Sequence, residues 1–362
     1  MTPPAIPLPD PTPLPGPIWL FQALLLATFA VHLLLLNCTI GGTLIGAAHA
    51  LITQHADAPG RQLGRWLSRL LPAAVTLTVT SGVAPLLFIQ LLYGQVFFPA
   101  TVLAGWVWLA VVPLIVMGYL AVYLYKHSWA VGGRTRWLSV TAVCFGLVLL
   151  IQSMANLLQL TPDRWVIVSE RIAGLAQAPT LLPRLFHFLL ASLAVAGMAL
   201  AVVGSLRCRS HPDAFFAWMT RCGTRWAVVI TGLQMVDGIW WLFALPRNAV
   251  TGLVGAGPYP LLLLGAGMGG GLLTLILLAS LDRPEAQRGL LYLSAASLLA
   301  TVLLMVGIRD VLRSAYLAPF LAVSRLPIRM QTDLVLLFGF SFLLGALALG
   351  WLVRKLVQAE HA

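Results

Sequence analysis

Residues 18–52 read IWLFQALLLATFAVHLLLLNCTIGGTLIGAAHALI, 35 positions without one Asp, Glu, Lys or Arg. A helix rises about 1.5 Å per residue and the hydrocarbon core of a bilayer is about 30 Å thick, so about 20 apolar residues cross it. This run exceeds that length, which predicts a span that tilts or protrudes. Comparable runs recur down the chain and predict about nine transmembrane helices. They lie near 18–52, 70–93, 101–125, 138–160, 184–206, 226–245, 259–281, 289–308 and 333–353. The expected fold class is all-α, a polytopic helical membrane bundle without internal repeats. A single transmembrane domain is expected over 18–355, after an extended proline-rich arm at 1–17 and before a tail at 356–362.

Composition points the same way. Of 362 residues, 60% are hydrophobic and 9% charged, against about 25% charged in a soluble domain. The formal net charge of +11 would suggest nucleic acid in a soluble protein. Here the basic residues fall between apolar runs, as topology signals do, and no nucleic-acid partner is expected. With the N-terminus outside, nine spans divide the 22 basic residues 14 inside to 8 outside. That bias predicts an N-out, C-in chain, with membrane lipid as its surroundings. One outer stretch runs against it. IRDVLRSAYLAPFLAVSRLPIR (308–329) carries Arg309, Arg313, Arg325 and Arg329. Either carboxylates of a bound group neutralise these arginines, or they snorkel from an interfacial helix.

The four cysteines, Cys38, Cys144, Cys208 and Cys222, form no CxxC or CxxCH pattern. Covalent haem attachment and a thiolate metal site are not expected. Ionisable residues inside a span are costly and each is a functional candidate. Those residues are His32, His49, His187 and Asp237. His32, in FAVHLLLLNCTIGG, sits about 20 Å along the first helix. Its imidazole needs a partner, either haem iron or the carbonyl of a neighbouring helix. His187, in LPRLFHFLLASLAVAG, follows Arg184 by three residues on the same face. That pairing suits an iron-bound imidazole with haem propionates pointing outward, or an interfacial His beside an anchoring Arg. Met268, in GAGMGGGLL, offers a thioether that could sit opposite an imidazole. The glycines around it would leave room for a flat macrocycle or serve close helix packing. Asp237, in GLQMVDGIWWLF, would carry protons or hold a hydrogen bond between helices or beside a cofactor. His49 is expected at the inner surface.

Taken in order, these segments resemble subunit I of cytochrome bd quinol oxidase. FQALLLATFAVHLLLLNCTIGGTL resembles the family's first helix, with His32, Thr39 and Gly41 matching its His and Thr-x-Gly turn. SGVAPLLFIQLLYG and SMANLLQLTP resemble the ends of its second and fourth helices. LFHFLLASLAVAGM resembles the fifth-helix run around the His ligand of the low-spin haem b, matched by His187. GAGMGGGLLTL stands where the family places the Met ligand of that haem, matched by Met268. VDG resembles an acidic site matched by Asp237.

The resemblance implies one or two b-type haems, with His187, Met268 and His32 on iron and Arg184 and Arg309 near propionates. It implies electron transfer within a larger redox complex, between a membrane quinone or haem and a periplasmic carrier such as a c-type cytochrome. Three departures stand beside it. TVLAGWVWLAVVPLIVMG (101–118) has none of the family's helix-3 glutamates, VLLMVGIRD offers only Asp310 near a ligand Glu, and the quinol-binding loop is cut to PRNAVTGLVGAGP. Haem binding is thus expected to carry over better than proton delivery, oxygen reduction or quinol oxidation. The rival readings are an active terminal quinol oxidase and a cofactor-free transport or assembly subunit.

Overall fold

The computed structural model describes residues 6–7, 13–52, 58–129, 136–170, 172–210 and 213–359. Most of the proline-rich arm and the end of the tail lie outside them. The described helices are α1 Ile18–Ile52, α2 Pro59–Ala104, α3 Trp106–Leu109, α4 Val111–Ser128, α5 Arg136–Leu160, α6 Trp165–Glu170, α7 Leu181–Ser210, α8 Ala214–Ala244, α9 Arg247–Gly255, α10 Pro258–Ala279, α11 Arg288–Leu317 and α12 Thr332–Ala359. Among the described residues, 8 helices are long and apolar enough to cross a membrane, with α3 and α4 together forming one of them. Thr332–Gly345 within α12 is a shorter apolar stretch. The protein is a polytopic helical membrane bundle.

Three elements differ from the sequence reading. The second and third expected spans, 70–93 and 101–125, do not have their break where hydropathy puts it. α2 extends over 46 residues, with Pro72, Pro85 and Pro99 inside it and a non-helical Tyr93 at a kink. Interior prolines remove a backbone hydrogen bond and bend the helix. At about 1.5 Å per residue α2 is about twice as long as a bilayer core is thick, so part of it stands clear of the apolar layer. The chain reverses only at Gly105, whose φ of 52° favours a residue without a Cβ. Second, the expected span 289–308 stops short: α11 continues to Leu317 and takes Arg309 and Arg313 into the helix. Hydropathy drops at the arginines, but nothing there breaks a helix. Third, the shortened loop 246–258 is itself largely helical, as α9.

The core of the bundle is α7, which packs along both α1 and α8, while α10 pairs with α11. Close approach is written into the small residues. A Cβ on Gly41 of α1 would overlap the Ser192 carbonyl of α7, and one on Gly223 of α8 would lie 2.5 Å from the Gly197 carbonyl of α7. Ser192 adds a cross-helix hydrogen bond to Asn37 Oδ1 at 3.0 Å. Such small-residue contacts, with a few polar bonds, hold helices together where lipid offers no hydrophobic drive between them.

The face of the bundle where α1 begins is called the Ile18 face. There the end of the N-terminal arm is pinned by backbone pairing. Leu14 N–H donates to the Pro327 carbonyl at 2.8 Å, and Arg329 N–H to the Leu14 carbonyl at 2.9 Å. Leu14 itself is buried with Phe21, Leu25 and Tyr316. α12 follows this clasp, and its side chains from Leu336 to Leu344 are exposed.

Candidate functional site

α7, α8, α10 and α11 leave a large cavity between them, closed on one side by α1. Its empty volume is about 1490 Å³ including the open mouth. The walls are apolar: Phe29 and Leu33 from α1, Phe188 and Ala191 from α7, Leu242 from α8, Leu264 from α10 and Val306 from α11. His187 of α7 and Met268 of α10 both line it. The two residues singled out from separate sequence segments thus share one space.

The imidazole of His187 is held on two sides. Its Nδ1 lies 3.0 Å from Asp237 Oδ2, bridging α7 to α8. The Trp241 ring, one turn along α8, packs against it at 4.9 Å between centroids and 53°. Asp237 is buried and does not line the cavity; it acts through the histidine. With Nδ1–H donating to the carboxylate, the second ring nitrogen, Nε2, keeps its lone pair free of that bond.

Next to this cavity lies a smaller cleft of about 310 Å³, sharing Phe188, Trp241, Arg309 and Leu312 with it. Arg184, Arg309 and Arg313 all line the cleft. Arg184 is 3% exposed; its Nη1 donates to Asn156 Oδ1 at 2.6 Å, its Nε and Nη2 are buried without a hydrogen bond of good geometry, and the Tyr316 hydroxyl interacts with the same guanidinium. The Arg309 guanidinium sits 4.2 Å above the Phe29 ring. Arg313 pairs with Asp310 at 3.1 Å and lies over Tyr93. Among the described residues, neither Arg184 nor Arg309 has a carboxylate within ion-pair distance. A buried, unsatisfied donor costs about 1–3 kcal/mol, and three guanidiniums in one cleft repel each other. The chemistry of the cleft is therefore that of an anion site, suited to carboxylates.

The arginine-rich stretch 308–329 divides accordingly. Arg309 and Arg313 turn inward into the cleft, while Arg325 and Arg329 are exposed. The sequence reading counts Arg313 among the outer arginines and not as a site residue, although it stands one helical turn from Arg309. Ending the helix at 308 hides that spacing. Two further methionines, Met235 and Met305, line the same cavity as Met268. Only their helical phase, invisible in an all-apolar run, brings them there.

His32 goes elsewhere. It does not line the His187 cavity. Its Nδ1 lies 3.0 Å from the Thr78 carbonyl and 3.3 Å from Ser81 Oγ, both on α2. Its ring packs so closely on Gly82 that an added Cβ would meet Cε1 at 2.8 Å. The two possibilities for the Gly265–Gly271 segment also separate. Gly267 and Gly271 line the cavity, yet the space beside them is taken by Met305 and Met235, and Gly270 packs on Thr301. Close helix packing accounts for these three. His49 pairs through Nε2 with Trp226 Nε1 at 3.3 Å and lies beside Cys222.

No family model and no curated protein sequence matches this chain. Among solved structures, a chain of the bd oxidase from Geobacillus thermodenitrificans matches with a TM-score of 0.71 over 94% of this chain and 97% of that one. Sequence identity is 13%, so the likeness is one of fold. The protein has a bd-oxidase-like fold, the architecture to which the ordered sequence segments point.

Proposed function

We propose that this protein is a membrane-embedded b-type cytochrome, one subunit of a bd-oxidase-like redox complex in a bacterial cytoplasmic membrane. It passes electrons between a membrane quinone or haem and a redox partner at the Ile18 face, such as a periplasmic c-type cytochrome. One observation carries the reading: His187 and Met268, from different helices, line one cavity that adjoins a cleft of three arginines. The fit is chemical as well as spatial. An imidazole nitrogen and a thioether are both established ligands of haem iron. Arg184 and Arg309, which have no carboxylate partner among the described residues, together with Arg313, fit the two propionates.

The haem would supply one-electron iron chemistry. The chain's residues do the rest. His187 and Met268 would hold the group. Arg184 and Arg309 would bind its carboxylates beside the Ile18 face, where a soluble partner would dock. Phe29, Leu33, Phe188 and Leu264 would keep water from it, and such a dry shell tunes a redox potential. Asp237 orients His187 rather than touching the group. His32 lies outside this cavity with its Nδ1 bonded to the α2 carbonyl of Thr78; its Nε2 is left open by that bond, so His32 would either hold a second haem or serve only to link α1 to α2. The absence of acidic residues from 101–118 supports electron transfer over proton-coupled oxygen reduction.

A reduced-minus-oxidised visible spectrum of the purified protein tests this. The expected result is a sharp haem b α-band that disappears in His187→Ala and persists in His32→Ala. A featureless spectrum from well-folded wild-type protein overturns the reading in favour of a cofactor-free subunit.

A further inference from the structure

We propose that Asp237 is a positioning residue that makes His187 an unusually electron-rich ligand and so holds the redox potential of the site down. The inference rests on the haem reading above and goes beyond it to what tunes the site. Three observations carry it. The carboxylate and the imidazole are bonded at 3.0 Å across two helices. Both are shielded, with side chains 6% and 16% exposed for Asp237 and His187. Trp241 packs on the imidazole and restricts its rotation.

The physical consequence has two parts. As acceptor, Asp237 Oδ2 selects the tautomer protonated at Nδ1, so Nε2 presents its lone pair. As a carboxylate shielded from water, it accepts that Nδ1–H in a hydrogen bond that makes the ring a stronger electron donor to a bound metal. A stronger donor favours ferric over ferrous iron. Its effect opposes that of a thioether on the other side, which raises the potential. The three cleft arginines also favour the reduced, less positive state. Asp237 is the group next to the histidine whose charge counters both. Its Oδ1 is buried without a partner, so among the described residues no second donor dissipates that charge.

Redox titration of full-length Asp237→Asn separates the two parts. The amide oxygen can still accept from Nδ1, so haem stays bound, but the negative charge is gone. The expected result is a higher midpoint, by about 59 mV for each tenfold loss of ferric preference. Asp237→Ala removes the acceptor as well, and haem affinity is expected to fall about 10–100-fold. Asp237→Glu, which keeps the charge, is expected to stay nearer the wild-type midpoint than Asp237→Asn. The ferric wild type gives an independent readout if a variant does not accumulate: its electron paramagnetic g-values should show an imidazolate-like ligand field. An unchanged midpoint in Asp237→Asn, or neutral-imidazole g-values in the wild type, overturns the inference while leaving a His187-dependent haem intact. Loss of the haem reading would show differently, as wild-type protein without an α-band.

Discussion

Met268 is one of three thioethers around the cavity, with Met235 and Met305 lining it too. A methionine opposite a histidine raises the potential of haem iron. Met268→Leu keeps volume and apolarity, so haem is expected to stay bound while the midpoint falls. An unchanged midpoint would take Met268 off the iron and pass the role to Met235 or Met305, each tested by the same substitution. His187 is legible in the sequence because an imidazole inside an apolar run is conspicuous. Its partner is half legible: Asp237 stands out for the same reason, but nothing in the one-dimensional pattern joins residues 187 and 237. Arg313 and Asn156 are not legible as site residues at all, since a surface arginine and a cleft arginine look alike until a helix is rotated into place.

At the scale of elements, α7 is the support on which the site depends. It carries His187 and Arg184 and is clasped by α1 on one side and α8 on the other. The α1 contact passes through Gly41, where an added methyl would collide with the Ser192 carbonyl rather than with a movable side chain. Overpacking of this kind costs about 1–3 kcal/mol. Gly41→Ala is therefore expected to lower thermal stability in detergent, with haem loss preceding or accompanying unfolding. A melting curve unchanged from wild type would show that α1 and α7 can separate without harm. Most helix positions are legible from hydropathy. The joint at Gly105 and the extension of α11 past Arg309 are not, because hydropathy records solvent preference and not backbone continuity.

The whole molecule sets the direction in which the site faces. Arg184, Arg309 and Arg313 gather beside the Ile18 face, so three of the eight basic residues expected outside are absorbed into the cleft rather than left on loops. This weakens the apparent conflict with the positive-inside rule, which counts flanking loop charges. The chain is then expected to be N-out and C-in. A fluorescent-protein fusion at the C-terminus should be bright, and an alkaline-phosphatase fusion at the same point inactive. The reverse pattern would place the cleft on the cytoplasmic side and remove a periplasmic partner from the reading.

By itself the sequence determined the solvent and the class of fold. Length and apolarity act locally and additively, so 60% hydrophobic residues in long uncharged runs leave a bilayer as the only fitting environment. It also marked the few side chains too polar to be there without a purpose. Only the tertiary structure decided which of them meet. In a soluble helix the apolar stripe shows which face turns inward. Where lipid surrounds the bundle, both faces are apolar and that phase signal is lost, so His187, Asp237, Met268 and the three arginines came together only once the helices were packed.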